Sequence, residues 1–172
     1  MPPAPSFDEL FAAARTSAVH LEMRDSYTPE DPVYQRWLVG EPIDWAHEYR
    51  GWFDLVRTTV ARGVAIRRAR IVSEPLAPFI RQEFECAGPM NIAAGEQVRW
   101  LPRRNASDLA LPGNDFWVFD DQLALFLHFA GDGRALEDQD ELTESPAIVR
   151  HCTSAFEAVW ARAIPHEDYQ PA

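Results

Sequence analysis

The chain has 172 residues, 47% of them hydrophobic and 12% aromatic, with a formal net charge of −11. That length buries one sizeable core and is short for two, so a single globular domain over 1–172, with its core at about 6–165, is expected. A uniformly acidic surface repels nucleic acid and anionic membranes, which speaks against direct binding to either. All 16 basic residues are arginine; without lysine there is no P-loop amine, no Schiff-base nucleophile and no kinase strand lysine.

Ser6, followed by Asp8, Glu9 and the apolar Phe7, Leu10, Phe11 and Ala14, predicts a capped N-terminal helix. In SAVHLEMRDSY, Val19, Leu21 and Met23 alternate with His20, Glu22 and Arg24, the period of a half-buried strand. The proline-rich YTPEDPVYQRWLVGEP leaves room only for a short helix from Val33 to Leu38. A long helix over 44–63 follows, capped by Asp44, ended by Gly63 and striped with Trp45, Tyr49, Trp52, Phe53, Val56 and Val60. VAIRRARIV reads as a strand, Phe79 to Phe84 as a helix stopped near Gly88, and 97–102 as a short strand. Two further strands are expected at 115–119 and 123–131, joined by a tight turn at Asp120-Asp121-Gln122. An acidic segment from Glu137 to Glu144 reads as a solvated loop before a last helix from Pro146 to Ala163. The order predicts an α/β (α+β) domain with a mixed sheet of about five strands flanked by helices.

In LPGNDFWVFDD, alternation places Phe116 and Val118 on one face and Asp115, Trp117 and Phe119 on the other. Asp115 and Asp120 then bracket the strand, as caps and turn formers or as carboxylates at the edge of a pocket. The candidate site rests on an arginine cluster: Arg67, Arg68, Arg70, Arg81, Arg99, Arg103 and Arg104 lie between 67 and 104 beside only Glu74, Glu83, Glu85 and Glu96. Arg68 and Arg70 share a strand face and Arg67 takes the other. Buried guanidiniums need partners, and Glu22, Glu83, Glu85, Asp115 and Asp120 are the candidates. Either they build a structural network, or Arg67, Arg68, Arg70 and Arg99 line a pocket for a small anionic ligand.

His128 reads as a core histidine on the face of Ala124 and Phe126, and His20 beside Glu22 and Arg24 is the better candidate for chemistry. His47-Glu48 lacks the second histidine of a zinc protease, and no nucleotide motif is present, so neither a metal nor an organic cofactor is expected. Cys86 and Cys152 are isolated and read as buried free thiols. No apolar run reaches the roughly 18 residues of a membrane span, and MPPAPSFDEL lacks a secretory leader's pattern, so a cytoplasmic location is expected.

The runs VHLEMRDSY, IRRARIVSEP, IRQEFE, AGEQVRWLPRR, LPGNDFWVFDD and FEAVWARAIPHEDY, taken in order, resemble the actinobacterial family described as domain of unknown function 6879, from about Phe7 to Tyr169. The resemblance implies a regulatory setting, because such proteins are often encoded near helix-turn-helix regulators. The chain also weakly resembles half of a phospholipase D-type domain, but that superfamily's HxK motif has no counterpart in a chain without lysine. The resulting expectation is a non-catalytic binding or regulatory module working with a partner such as a helix-turn-helix regulator. The alternative is a phosphodiesterase-like or other hydrolytic enzyme using His20 or His128 with Glu22, Asp115 or Asp120 and arginine.

Overall fold

A computed structural model of the chain describes residues 5–136 and 140–172. Three strands, β1 (Ser17–Glu22), β2 (Ala65–Val72) and β3 (Gln97–Pro102), run parallel. Beside β1 lie β4 (Asp115–Phe119), β5 (Leu123–Leu127) and β6 (Glu141–Thr143), each antiparallel to its neighbour, and β7 (Ile164–Pro165) closes the far edge against β3. The described residues thus form one mixed sheet of seven strands in the order β6-β5-β4-β1-β2-β3-β7. The expectation of about five strands missed the two edges. With three and two residues, they are too short to show an alternating pattern. The edge strand β6 lies inside the segment expected to be a loop; residues 137–139 of that segment fall outside the described residues.

Among the described residues, six α-helices cover the sheet: α1 (Phe7–Ala13), α2 (Pro32–Leu38), α3 (Trp45–Glu48), α4 (Arg50–Ala61), α5 (Pro78–Cys86) and α6 (Pro146–Arg162). Ser6 closes a full capping box with Glu9 at the start of α1. The helix expected over 44–63 is broken at Tyr49, whose backbone (φ −106°, ψ 35°) leaves helical space while its hydroxyl donates to Asp31 at 3.4 Å. Gly88 does not stop the helix after α5. The chain continues as a π-helical turn over Ala87–Ile92, in which Ala93 N–H reaches back to Gly88 O. Pro89 lies inside this turn and has no N–H to give, so the ladder widens instead of breaking.

Alternation along the strands divides the core in two. Val19, Leu21, Ala69, Ile71, Phe116 and Val118 face α6, where Val149, Cys152, Phe156 and Val159 complete an apolar cluster. The opposite face carries Ala18, Ile66, Trp117 and Phe119 beneath α1 and α4, and Val72, Val98 and Trp100 beneath α5. On this second face, between the two apolar patches, lie His20, Glu22, Arg68 and Arg70.

Candidate functional site

Strand register brings these four side chains together. His20 of β1 pairs with Arg68 of β2 and Trp117 of β4, and Glu22 pairs with Arg70. Residues two apart in register point the same way, so the four form a compact block on one face. Glu22 bridges both arginines: Arg68 Nη1 lies 2.7 Å from Oε1 and Arg70 Nη1 2.7 Å from Oε2. Arg68 Nε also donates to Glu96 at 2.6 Å, and Arg70 Nη2 donates to Glu83. Three carboxylates therefore meet two guanidiniums. Asn91, from the π-helical turn, donates to the other oxygen of Glu96 at 2.6 Å. The Arg68 guanidinium also lies over the rings of Trp52 and Trp117, 5.5 and 5.6 Å from their centroids, and that of Arg70 over Trp100.

Burial opposes the charged form of each of these groups, but the pairing overrides it. The Glu22 carboxyl is desolvated, yet Arg70 and Arg68 hold it below the usual carboxylate range. Arg68 is likewise held charged by Glu96 and Glu22 against its burial. His20 goes the other way: burial lowers its pKa well below the usual value, more than Glu22 at 3.6 Å can restore, so it is neutral. Its ring stacks on Trp117 at 4.2 Å, and neither ring nitrogen has a hydrogen-bond partner.

Above this floor is a cavity of about 360 Å³. Its walls include Tyr27, Tyr49, Trp52, Phe79, Trp117 and Phe129, with Asp31 and Thr28 among the polar lining. It lies at the carboxyl ends of β1 and β2, next to the point where the sheet turns from parallel to antiparallel, which is where open α/β sheets place ligand crevices. Asp115 stands beside it: one carboxylate oxygen accepts Met23 N–H at 2.9 Å and the other the Tyr27 hydroxyl, and burial raises its pKa to about 6.

The structure does not bring every candidate to this place. Arg67 and Arg99 lie on the opposite face: Arg67 pairs with Glu157 at 2.6 Å and stacks over Phe156, and Arg99 covers Trp160 and donates to its carbonyl. Even spacing along a strand forces this separation. Asp120 sits at the other end of β4, in a turn where it and Asp121 have positive φ. Its carboxylate accepts the N–H groups of Arg15, Thr16 and Ser17 at 2.9, 2.8 and 3.0 Å, a structural clasp. His128 lies just past the end of β5, which stops at Leu127, and is 3.8 Å from Glu141. Of the carboxylates expected to pair with the arginines, Glu22 and Glu83 do so; Glu85 instead accepts Trp37 Nε1 at 2.7 Å.

Tyr27, Trp52, Asn91 and Glu96 are additions to the site that the spacing does not single out. Trp52 belongs to the apolar stripe of the central helix, but it turns toward the cavity. Glu96 is visible as an acid just before β3, yet nothing local says that its side chain is buried. Burial also pushes up the thiols of Cys86 and Cys152, the latter to about 11, which keeps both protonated and unreactive. Among the described residues, no cluster of three or more His, Cys, Asp or Glu side chains could hold a metal ion, and no helix is long and apolar enough to cross a membrane.

The solved structures that share this fold include Nuc and NucT. Nuc from Salmonella typhimurium, a phospholipase D family member, is 8% identical with a TM-score of 0.51, over 92% of this chain and 86% of Nuc. NucT from Helicobacter pylori is 12% identical with a TM-score of 0.53, over 92% of this chain and 87% of NucT. At such identities the likeness concerns the fold alone. No curated protein matches the chain. The family model described as domain of unknown function 6879 matches residues 5–171, and with that match over nearly its whole length the chain belongs to this family.

Proposed function

We propose that the protein is a non-catalytic binding module of the actinobacterial cytoplasm, which takes a small ligand in the cavity above β1 and β2 and acts with a protein partner such as a helix-turn-helix regulator. One observation carries this reading: the cavity is roomy and aromatic, but the arginines and glutamates of its floor are paired with one another. Glu22 is ion-paired with two guanidiniums and is no free base. His20 has no carboxylate within hydrogen-bonding distance to orient it, and neither arginine is left without a carboxylate. A pocket that binds and does not react fits this arrangement.

The hydrolytic alternative draws on one specific observation, the meeting of His20, Glu22, Arg68 and Arg70 in a single cavity. The shared fold with a phospholipase D family member adds little, because fold does not carry chemistry. Incubating the purified protein with bis(p-nitrophenyl) phosphate separates the two readings. The binding module releases nitrophenol no faster than buffer; turnover that disappears in His20→Asn replaces it with a phosphodiesterase. Co-purification with a co-expressed helix-turn-helix regulator tests the partner, and elution of the two as separate species removes it.

A further inference from the structure

Several side chains that line the cavity have buried polar atoms with no hydrogen-bond partner: both nitrogens of His20, Oε2 of Glu22, Nε1 of Trp52, Nε of Arg70 and Oδ1 of Asn91. His20, Arg70 and Asn91 are 5%, 3% and 1% exposed. Buried polar groups are ordinarily satisfied, so a cluster of orphans around one cavity marks what its occupant should supply. The set is mixed. Trp52 and Arg70 offer donors, Asn91 and Glu22 offer acceptors, and a neutral His20 offers one of each. We propose that the cavity recognises a planar, uncharged heteroaromatic ring with both donors and acceptors along its edge. This proposal rests on the binding reading above and names the ligand class for the same site.

Three further features support it. An anion brings only acceptors and finds both guanidiniums already neutralised by Glu22, Glu83 and Glu96. An organic cation brings only donors and leaves Trp52 and Arg70 unsatisfied. A flat ring with a mixed edge answers both needs and places its faces against the aromatic walls. Tyr27 and Phe79, with ring centroids 6.0 Å apart, are among these walls. A cavity of about 360 Å³ admits a bicyclic ring of purine size.

Trp52 and Trp117 line the cavity, so tryptophan fluorescence reports on its occupation. The probes are adenine, cytosine, nicotinamide and lumazine as neutral heterocycles, n-butylguanidinium as the cation and inorganic phosphate as the anion. At least one heterocycle should quench the wild type saturably. His20→Phe keeps a ring on Trp117 but removes both nitrogens, and Trp52→Phe keeps a ring but removes Nε1. Each should weaken binding at least tenfold, and His20→Phe should melt no lower than the wild type, because it deletes unpartnered nitrogens. Heterocycle binding that neither substitution alters overturns the assignment of the site. Saturation by butylguanidinium or phosphate, with no response to any heterocycle, overturns the ligand class and leaves a binding module. Silence from every probe up to millimolar concentration overturns both.

Discussion

Strand β2 presents Arg68 and Arg70 to one face of the sheet and Arg67, Ala69 and Ile71 to the other, and the two faces are built differently. Toward α6, burial is apolar and continuous, and Arg67 snorkels outward over Phe156 to reach Glu157 at the surface. Toward α4 and α5, two guanidiniums and their carboxylates are buried next to an open cavity. The first face stabilises by packing. The second holds a polar block whose members are costly to separate, and it leaves room unfilled. The difference teaches that the same residue type, one position apart, is a surface anchor on one side and a structural charge on the other.

The largest expected effect tests the polar face. Arg70→Gln leaves Glu22 and Glu83 short of a cation in a desolvated setting, and should cost roughly 3–5 kcal/mol in a urea titration; a loss below about 1 kcal/mol would show that the pairing is dispensable. On the apolar face, Phe156→Ala should cost a similar ~3–5 kcal/mol through lost contacts and a cavity. The two should separate with pH: the Phe156 effect should be the same at pH 4 and pH 7, and a strong pH dependence would mean that α6 is coupled to the charged block.

A smaller effect should come from Asp115. Burial raises its carboxyl from 3.8 to about 6 in the folded protein. The contribution of this group to stability is therefore fully present below the unfolded value and lost as pH rises through about 6. Between pH 4 and 7 the wild type should lose on the order of 2 kcal/mol more than Asp115→Asn. Parallel pH profiles for the two proteins would place the carboxyl at an ordinary value. Least of all, Arg67→Gln should cost under about 1 kcal/mol, because its partner is half exposed. A loss as large as that of Arg70→Gln would erase the contrast between the faces.

Much of this division is legible in the sequence. The alternation of Val19 and Leu21 with His20 and Glu22, and of Ala69 and Ile71 with Arg68 and Arg70, assigns each side chain to a face before any strand is paired. The tight turn at Asp120-Asp121 and the cap at Ser6 are local chemistry and equally visible. What local pattern does not carry is which strands become neighbours. Arg99 shares charge and strand type with Arg70 but lies one step out of phase, and only the pairing of β2 with β3 shows that it faces Trp160. Glu96 reaches Arg68 through the register of β2 with β3, Asn91 reaches Glu96 through a widened helical turn, and Tyr27 reaches Asp115 across 88 residues of chain. Contacts of that range follow from topology, not from spacing.

The widened turn at Ala87–Ile92 also bears on how such a cavity could diverge. A π-helical turn holds one more residue than the α-helix it interrupts, so losing a single residue there would restore regular spacing and swing each following side chain by about 100° around the axis. Asn91 would leave Glu96, and the cavity would acquire a different wall with every charged residue of its floor unchanged. Among relatives, ligand preference is then expected to vary with the length of this segment, and a comparison restricted to substitutions would overlook it.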